Sequence, residues 1–192
     1  MSPRRRSPLT IEYILLGLLY QNPTHGYELH KAIQASQGLS HIWRIKPSKL
    51  YSLLDRLEDQ GLLASRAIPS ERTPGRKEFH LTQDGERVFL DWIQSPVASG
   101  RHMRLVFHAK LYFALRIGDA PALRLIEAQS QECHGWVGSM EAQLSELESP
   151  DFTTKQVFSY RINQVKAMLD WLSDCDKRIR AGGHVDIEKT HL

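Results

Sequence analysis

At 192 residues the chain is long enough for one large domain or two small ones, and 41% apolar with 24% charged residues is an ordinary globular composition. It has no apolar run of about 18 residues, and its N-terminal arginines precede neither the apolar stretch nor the cleavage site of a signal peptide. Membrane insertion and export are therefore not expected, and a cytoplasmic location is. The formal net charge of +3 is unevenly divided: residues 1–85 hold 12 Lys+Arg against 8 Asp+Glu, residues 86–192 hold 13 against 14.

In chain order, Arg4, Arg5 and Arg6 form either a basic tail or an arm able to enter a minor groove. Leu9 to Tyr20 (LTIEYILLGLLY) follows, with Ile11, Ile14, Leu15, Leu18 and Leu19 at helical spacing. That pattern predicts a central buried helix. Asn22-Pro23 ends it, and Thr24 is placed to cap a second helix carrying Tyr27, Leu29, His30 and Ile33, with Ile42 beyond.

The most informative segment is Ile45 to Thr82, IKPSKLYSLLDRLEDQGLLASRAIPSERTPGRKEFHLT. Pro47 suits a first helical turn, Leu50, Leu53, Leu54 and Leu57 make a greasy face, and Gly61 follows as a C-cap. Lys46, Ser48, Lys49, Ser52 and Arg56 occupy the other face. Leu62 to Ile68 and Arg76 to Leu81 read as two strands joined by a polar tip, Pro69 to Gly75. Three helices and a basic hairpin is the order of a winged helix-turn-helix, in which one helix enters the major groove and the hairpin lies over the adjoining backbone. The positive balance of residues 1–85 coincides with this segment. The DNA-facing residues expected on these grounds are Lys46, Ser48, Lys49, Ser52 and Arg56 on the helix and Arg72, Arg76 and Lys77 on the wing. Tyr51 is placed to rest its ring on the core while its hydroxyl reaches a phosphate, Tyr27 either packs or brings its helix N-terminus to a phosphate, and Arg56 could instead pair with Asp55 or Glu58.

Thr82-Gln-Asp-Gly opens a fourth helix with Val88, Phe89, Trp92 and Ile93 as its stripe. A linker, residues 96–100, separates a winged-helix domain (1–95) from a helical domain (101–180) and a tail (181–192). Three helical stretches are expected in the helical domain: Arg101 to Ile117, Ala120 to Leu147 and Phe152 to Arg180. In the last, Phe158, Ile162, Val165, Leu169, Leu172 and Ile179 keep a four-three spacing that suits a coiled-coil-like dimer contact, the alternative being a bundle within one chain. Trp92, Phe107, Trp136 and Trp171 could line a cavity for a flat aromatic effector, or simply pack.

Catalytic and metal-binding patterns are missing from the sequence. G-x-S-x-G, P-loop and HExxH strings do not occur. His102 and His108 point apart on a helix, as do the neighbours Cys133-His134. Cys133 and Cys175 are too few for a disulfide framework. Neither an enzyme nor a cofactor is expected.

HGYEL at His25–Leu29, PSKLYSLLDRLEDQGLL at Pro47–Leu63 and RKEFHLTQDGERVF at Arg76–Phe89 resemble the signature of PadR-family transcriptional regulators. RLVFHAKLYFA at Arg104–Ala114 resembles the start of the larger helical C-terminal domain in one subgroup. The resemblance implies a homodimeric repressor of detoxification, efflux or virulence genes, dimerised through its C-terminal helices, with the tyrosine matching Tyr51 on the DNA side. The expected fold is mainly α with a small β-hairpin. The expected function is a sequence-specific regulator on a near-palindromic operator, relieved by an effector or other signal; the alternative is a winged-helix protein-interaction module that does not bind DNA.

Overall fold

The computed structural model describes residues 10–36, 45–68 and 76–182. Arg4 to Arg6, Ile42, Arg72 and the wing tip lie outside them. The chain divides into two compact units at Ile93/Gln94.

In the first unit, α1 (Thr10–Gln21) is followed by β1 (Thr24–His25), α2 (Gly26–Ala35), α3 (Pro47–Asp59), β2 (Leu63–Ile68), β3 (Arg76–Leu81) and α4 (Gln83–Gln94). As its apolar run predicts, α1 is buried from Ile14 to Leu19. Leu29 and Ile33 of α2, the leucines of α3, Leu62 and Leu63, Phe79 of β3, and Phe89 and Ile93 of α4 are buried with it. Each such side chain contributes about 1.5–3 kcal/mol on leaving water. The Trp92 ring of α4 stacks on Tyr13 of α1, with centroids 4.7 Å apart.

One local expectation is corrected. Thr24 does not cap α2: it lies in β1, paired with Phe79, and the N-cap is His25, whose side chain makes no capping bond. The β-branched threonine is taken by the sheet, whose order is β1-β3-β2, antiparallel throughout. The His25 ring instead donates from Nδ1 to the Lys77 carbonyl, 3.0 Å away.

The end of α3 follows the sequence closely. Pro47 is in the first turn and Gly61, at φ 71°, closes the helix: Gly61 N–H donates to Glu58 O and Leu62 N–H to Leu57 O, a Schellman pair. Thr82 joins the hairpin to α4, donating from Oγ1 to Gly61 O at 2.7 Å and accepting from Gly85 N–H at 3.1 Å. A Cβ on Gly85 would lie 2.0 Å from the Leu62 carbonyl oxygen, so only glycine fits there.

The second unit contains a short α5 (Gly100–His102), a π-helical segment (Met103–Phe107), α6 (His108–Ile117), α7 (Asp119–Ser145) and α8 (Phe152–Arg180). Asp151 caps α8 by accepting from Thr154 N–H at 2.9 Å, a bond that holds its carboxyl below the usual range. The α8 stripe is spent inside the chain. Ile162, Val165, Leu172 and Ile179 are buried, and Phe158 and Leu169 partly so, in a core shared with Ala122, Leu125, Ile126 and Cys133 of α7. A four-three spacing is satisfied as well by an antiparallel helix one short turn away as by a partner chain, and here α7 supplies it.

The expected linker is sewn into this unit. Gln129, fully buried, accepts from Val97 N–H at 2.7 Å and donates to Val97 O at 3.3 Å. Lys110, 3% exposed, donates from Nζ to Ser95 O and Oγ at 2.7 and 3.0 Å. Burial pushes its ammonium down to about 8. Among the described residues, no helix is long and apolar enough to cross a membrane, and no group of three His, Cys, Asp or Glu is placed to hold a metal ion.

Candidate nucleic-acid interface

Helix α3 has two faces because its apolar residues recur every three or four positions. Leu50, Leu53, Leu54 and Leu57 are at most 1% exposed, whereas Lys46, Ser48, Lys49, Tyr51 and Ser52 all face solvent. Lys46 is the N-cap and its carbonyl accepts the first helical bond, from Leu50 N–H. The Ser52 hydroxyl donates back to Lys49 O at 2.8 Å, leaving its oxygen lone pairs for an incoming donor.

For Tyr51 the ring packs while the residue stays open to solvent. Its ring rests on α2, where a Cβ on Gly26 would come within 2.6 Å of Cε1, yet the residue stays 46% exposed. Tyr27, next in the chain to Gly26, is 65% exposed. The Tyr51 ring and Tyr27 therefore both lie at the N-terminus of α2, the positive end of its dipole. Behind them the His30 ring donates from Nε2 to Ile45 O at 3.0 Å, tying α2 to the entry of α3.

Arg56 pairs with neither Asp55 nor Glu58. Its Nε and Nη2 both donate to Oε1 of Glu12 in α1, and that contact holds its guanidinium above its ordinary range. Glu58 is engaged by the hairpin: Ser65 Oγ donates to it at 2.6 Å and Lys77 Nζ lies 3.5 Å away, which together hold its carboxyl low. Lys77 stays exposed beside that contact. Arg76 begins β3 opposite Ile68. Arg66, absent from the sequence-derived set, pairs with Glu78 directly across the ladder at 2.6 Å. Glu12 was also missed; the signal was there, since it is the single charge in an otherwise apolar helix.

The aromatic set divides between the units. Trp92 belongs to the core of the first, against Tyr13 and Phe89. In the second, Phe107 and Trp171 meet edge to face at 5.9 Å, His108 lies 5.1 Å from the Trp171 ring, and Trp136 is partly buried against the same core.

An amphipathic helix with a polar outer face, joined through a glycine cap to a two-stranded wing and backed by two further helices, defines a winged helix-turn-helix domain. Residues 15–91 match the family model described as the transcriptional regulator PadR-like family, so this unit carries a PadR-like domain. Over 171 residues the chain is 23% identical to the negative transcriptional regulator PadR of Bacillus subtilis (strain 168), covering 84% of this chain and 93% of PadR. It is 34% identical to the transcriptional regulator YqjI of Escherichia coli (strain K12) over 76 residues, 39% of this chain and 33% of YqjI. Solved structures similar to it include Bacillus subtilis PadR in complex with operator DNA, at a TM-score of 0.45 and 23% identity over 89% of this chain and 99% of that one. The same protein in complex with p-coumaric acid gives 0.41 and 22%, over 90% and 99%.

Proposed function

We propose that the protein is a sequence-specific, cytoplasmic DNA-binding regulator that represses transcription as a homodimer on a near-palindromic operator. The observation that carries this reading is the division of α3: four leucines sealed into the core oblige Ser48, Lys49, Tyr51 and Ser52 to stand outward beside a basic wing. Lys49, Lys46 and the wing residues Arg72, Arg76 and Lys77 supply phosphate contacts, Ser48 and Ser52 short hydrogen bonds, and Tyr27 with Tyr51 a phosphate site at the start of α2. Repression is supported by the relative named a negative transcriptional regulator.

For the dimer, the buried α8 stripe is replaced by the opposite face near the start of that helix. Phe152, Val157 and Tyr160 are 77%, 49% and 64% exposed in the single chain, an apolar face that a second copy would cover. For the effector, Phe107, His108 and Trp171 beside the π-helical segment make a ring-lined locus for a flat aromatic molecule; π-turns within helices recur at functional sites.

Fluorescence anisotropy against a duplex enriched from a random library, and a scrambled duplex, tests the DNA reading. Preferential binding that weakens with salt is expected, and Lys49→Ala should flatten the slope of log K against log salt by about 0.9 if it neutralises one phosphate. Equal binding to both duplexes, or no binding, sinks the regulator reading in favour of an interaction module.

A further inference from the structure

Glu12 is the only charged residue of α1 and is completely buried among the core leucines. A carboxylate in that position is tolerated only with a cation and hydrogen bonds to compensate it. Arg56 supplies both, reaching back from α3. Yet its side chain is 42% exposed. It lies four residues after Ser52 and seven after Lys49, hence on the same outward face of the helix.

A guanidinium is a planar fork with five N–H donors, and its two edges serve different partners. Glu12 occupies the Nε/Nη2 edge of Arg56. The Nη1/Nη2 edge is turned away from Glu12. With its charge compensated at the back, Arg56 is a poor neutraliser of phosphate, but the direction of its remaining donors is set by a carboxylate that cannot move. Two coplanar donors at that spacing match the N7 and O6 acceptors of guanine in the major groove.

We infer that Arg56 reads a guanine edge and that Glu12 is the positioning residue that presents it. The inference rests on the DNA-binding reading above. It assigns the pair to discrimination between sequences, while Lys49 and the wing cations serve affinity in general.

Two variants separate the roles. Wild type, Arg56→Lys and Glu12→Gln are titrated against a duplex that wild type enriches from a random library and against a scrambled duplex, at several salt concentrations, well below each melting temperature. Arg56→Lys keeps a cation for Glu12 but has no second edge, so its preference for the enriched duplex should fall roughly tenfold. Glu12→Gln releases a full, unheld guanidinium. Its preference should fall by a similar factor while binding to the scrambled duplex strengthens and its salt slope steepens by up to about one. Because Glu12→Gln could unfold the unit, Arg56→Lys carries the base-reading half independently. Unchanged preference and slopes in both variants, with only a lower melting temperature, make the pair a structural tie and overturn the inference. Lost preference in Arg56→Lys alone overturns the role of Glu12. A library from which wild type enriches nothing overturns DNA binding itself, before either variant is made.

Discussion

Helices α3 and α8 carry the same kind of apolar stripe, and each spends it inside its own unit; they differ on the opposite face. On α3 the leucines are sealed and the outward residues are lysine, serine and tyrosine. On α8 the isoleucines, valine and leucine are sealed against α7, yet the outward face near its start still shows Phe152, Val157 and Tyr160. Periodicity names the face that is buried but not what buries it. What a helix offers to another molecule is read from the residues left over, which on α3 are polar and suit nucleic acid and on α8 are apolar and suit protein.

Breaking the α8 stripe is the largest perturbation of this comparison. Leu172 is fully buried, and Leu172→Ala should cost about 2–5 kcal/mol of stability through lost burial and the cavity left behind. Because the stripe packs within one chain, that loss should be the same at low and high protein concentration in denaturant titrations. A loss that shrinks as protein concentration rises would return the stripe to a seam between chains.

The same distinction explains how much was legible in advance. The boundaries at Pro47 and Gly61 and the turn from Thr82 to Gly85 were readable, because these residues act through local backbone geometry. Thr24 was misplaced because its strand partner, Phe79, is 55 positions away and a two-residue strand has no periodicity of its own. The partner of Arg56 was misplaced for a similar reason: the neighbours Asp55 and Glu58 were visible in sequence, whereas Glu12 comes close only once α1 packs on α3. The α8 stripe was found residue by residue, and only its partner was undetermined, since α7 and a second chain present equivalent surfaces to it.

The outward face of α8 provides a sharper, smaller test. Tyr160 is exposed, so Tyr160→Asp should change the stability of the single chain by no more than about 0.5 kcal/mol. In sedimentation experiments the variant should be monomeric at concentrations where wild type is dimeric, and its operator affinity should drop because two linked heads bind far better than one. An unaltered dimer removes this face from the interface and leaves α8 with no role beyond its own core.

The smallest effect concerns the buried charge each unit contains. In the winged unit Glu12 meets a guanidinium; in the helical unit Lys110 meets the carbonyl and hydroxyl of Ser95, and burial lowers its ammonium to about 8. In the unfolded chain a lysine titrates near 10.4. Below pH 8 both states carry the charge and folding bears the full cost of burying it. Between about 8 and 10.4 the unfolded chain binds more protons than the folded one, so this residue's contribution to stability rises with pH. Other groups titrate in that range, and Lys110→Met isolates the one in question: the wild-type urea midpoint should gain on that of the variant between pH 7.5 and pH 10. If the two midpoints move in parallel, the cost of burying the Lys110 ammonium is offset in the folded chain, and the contrast between the two buried charges disappears.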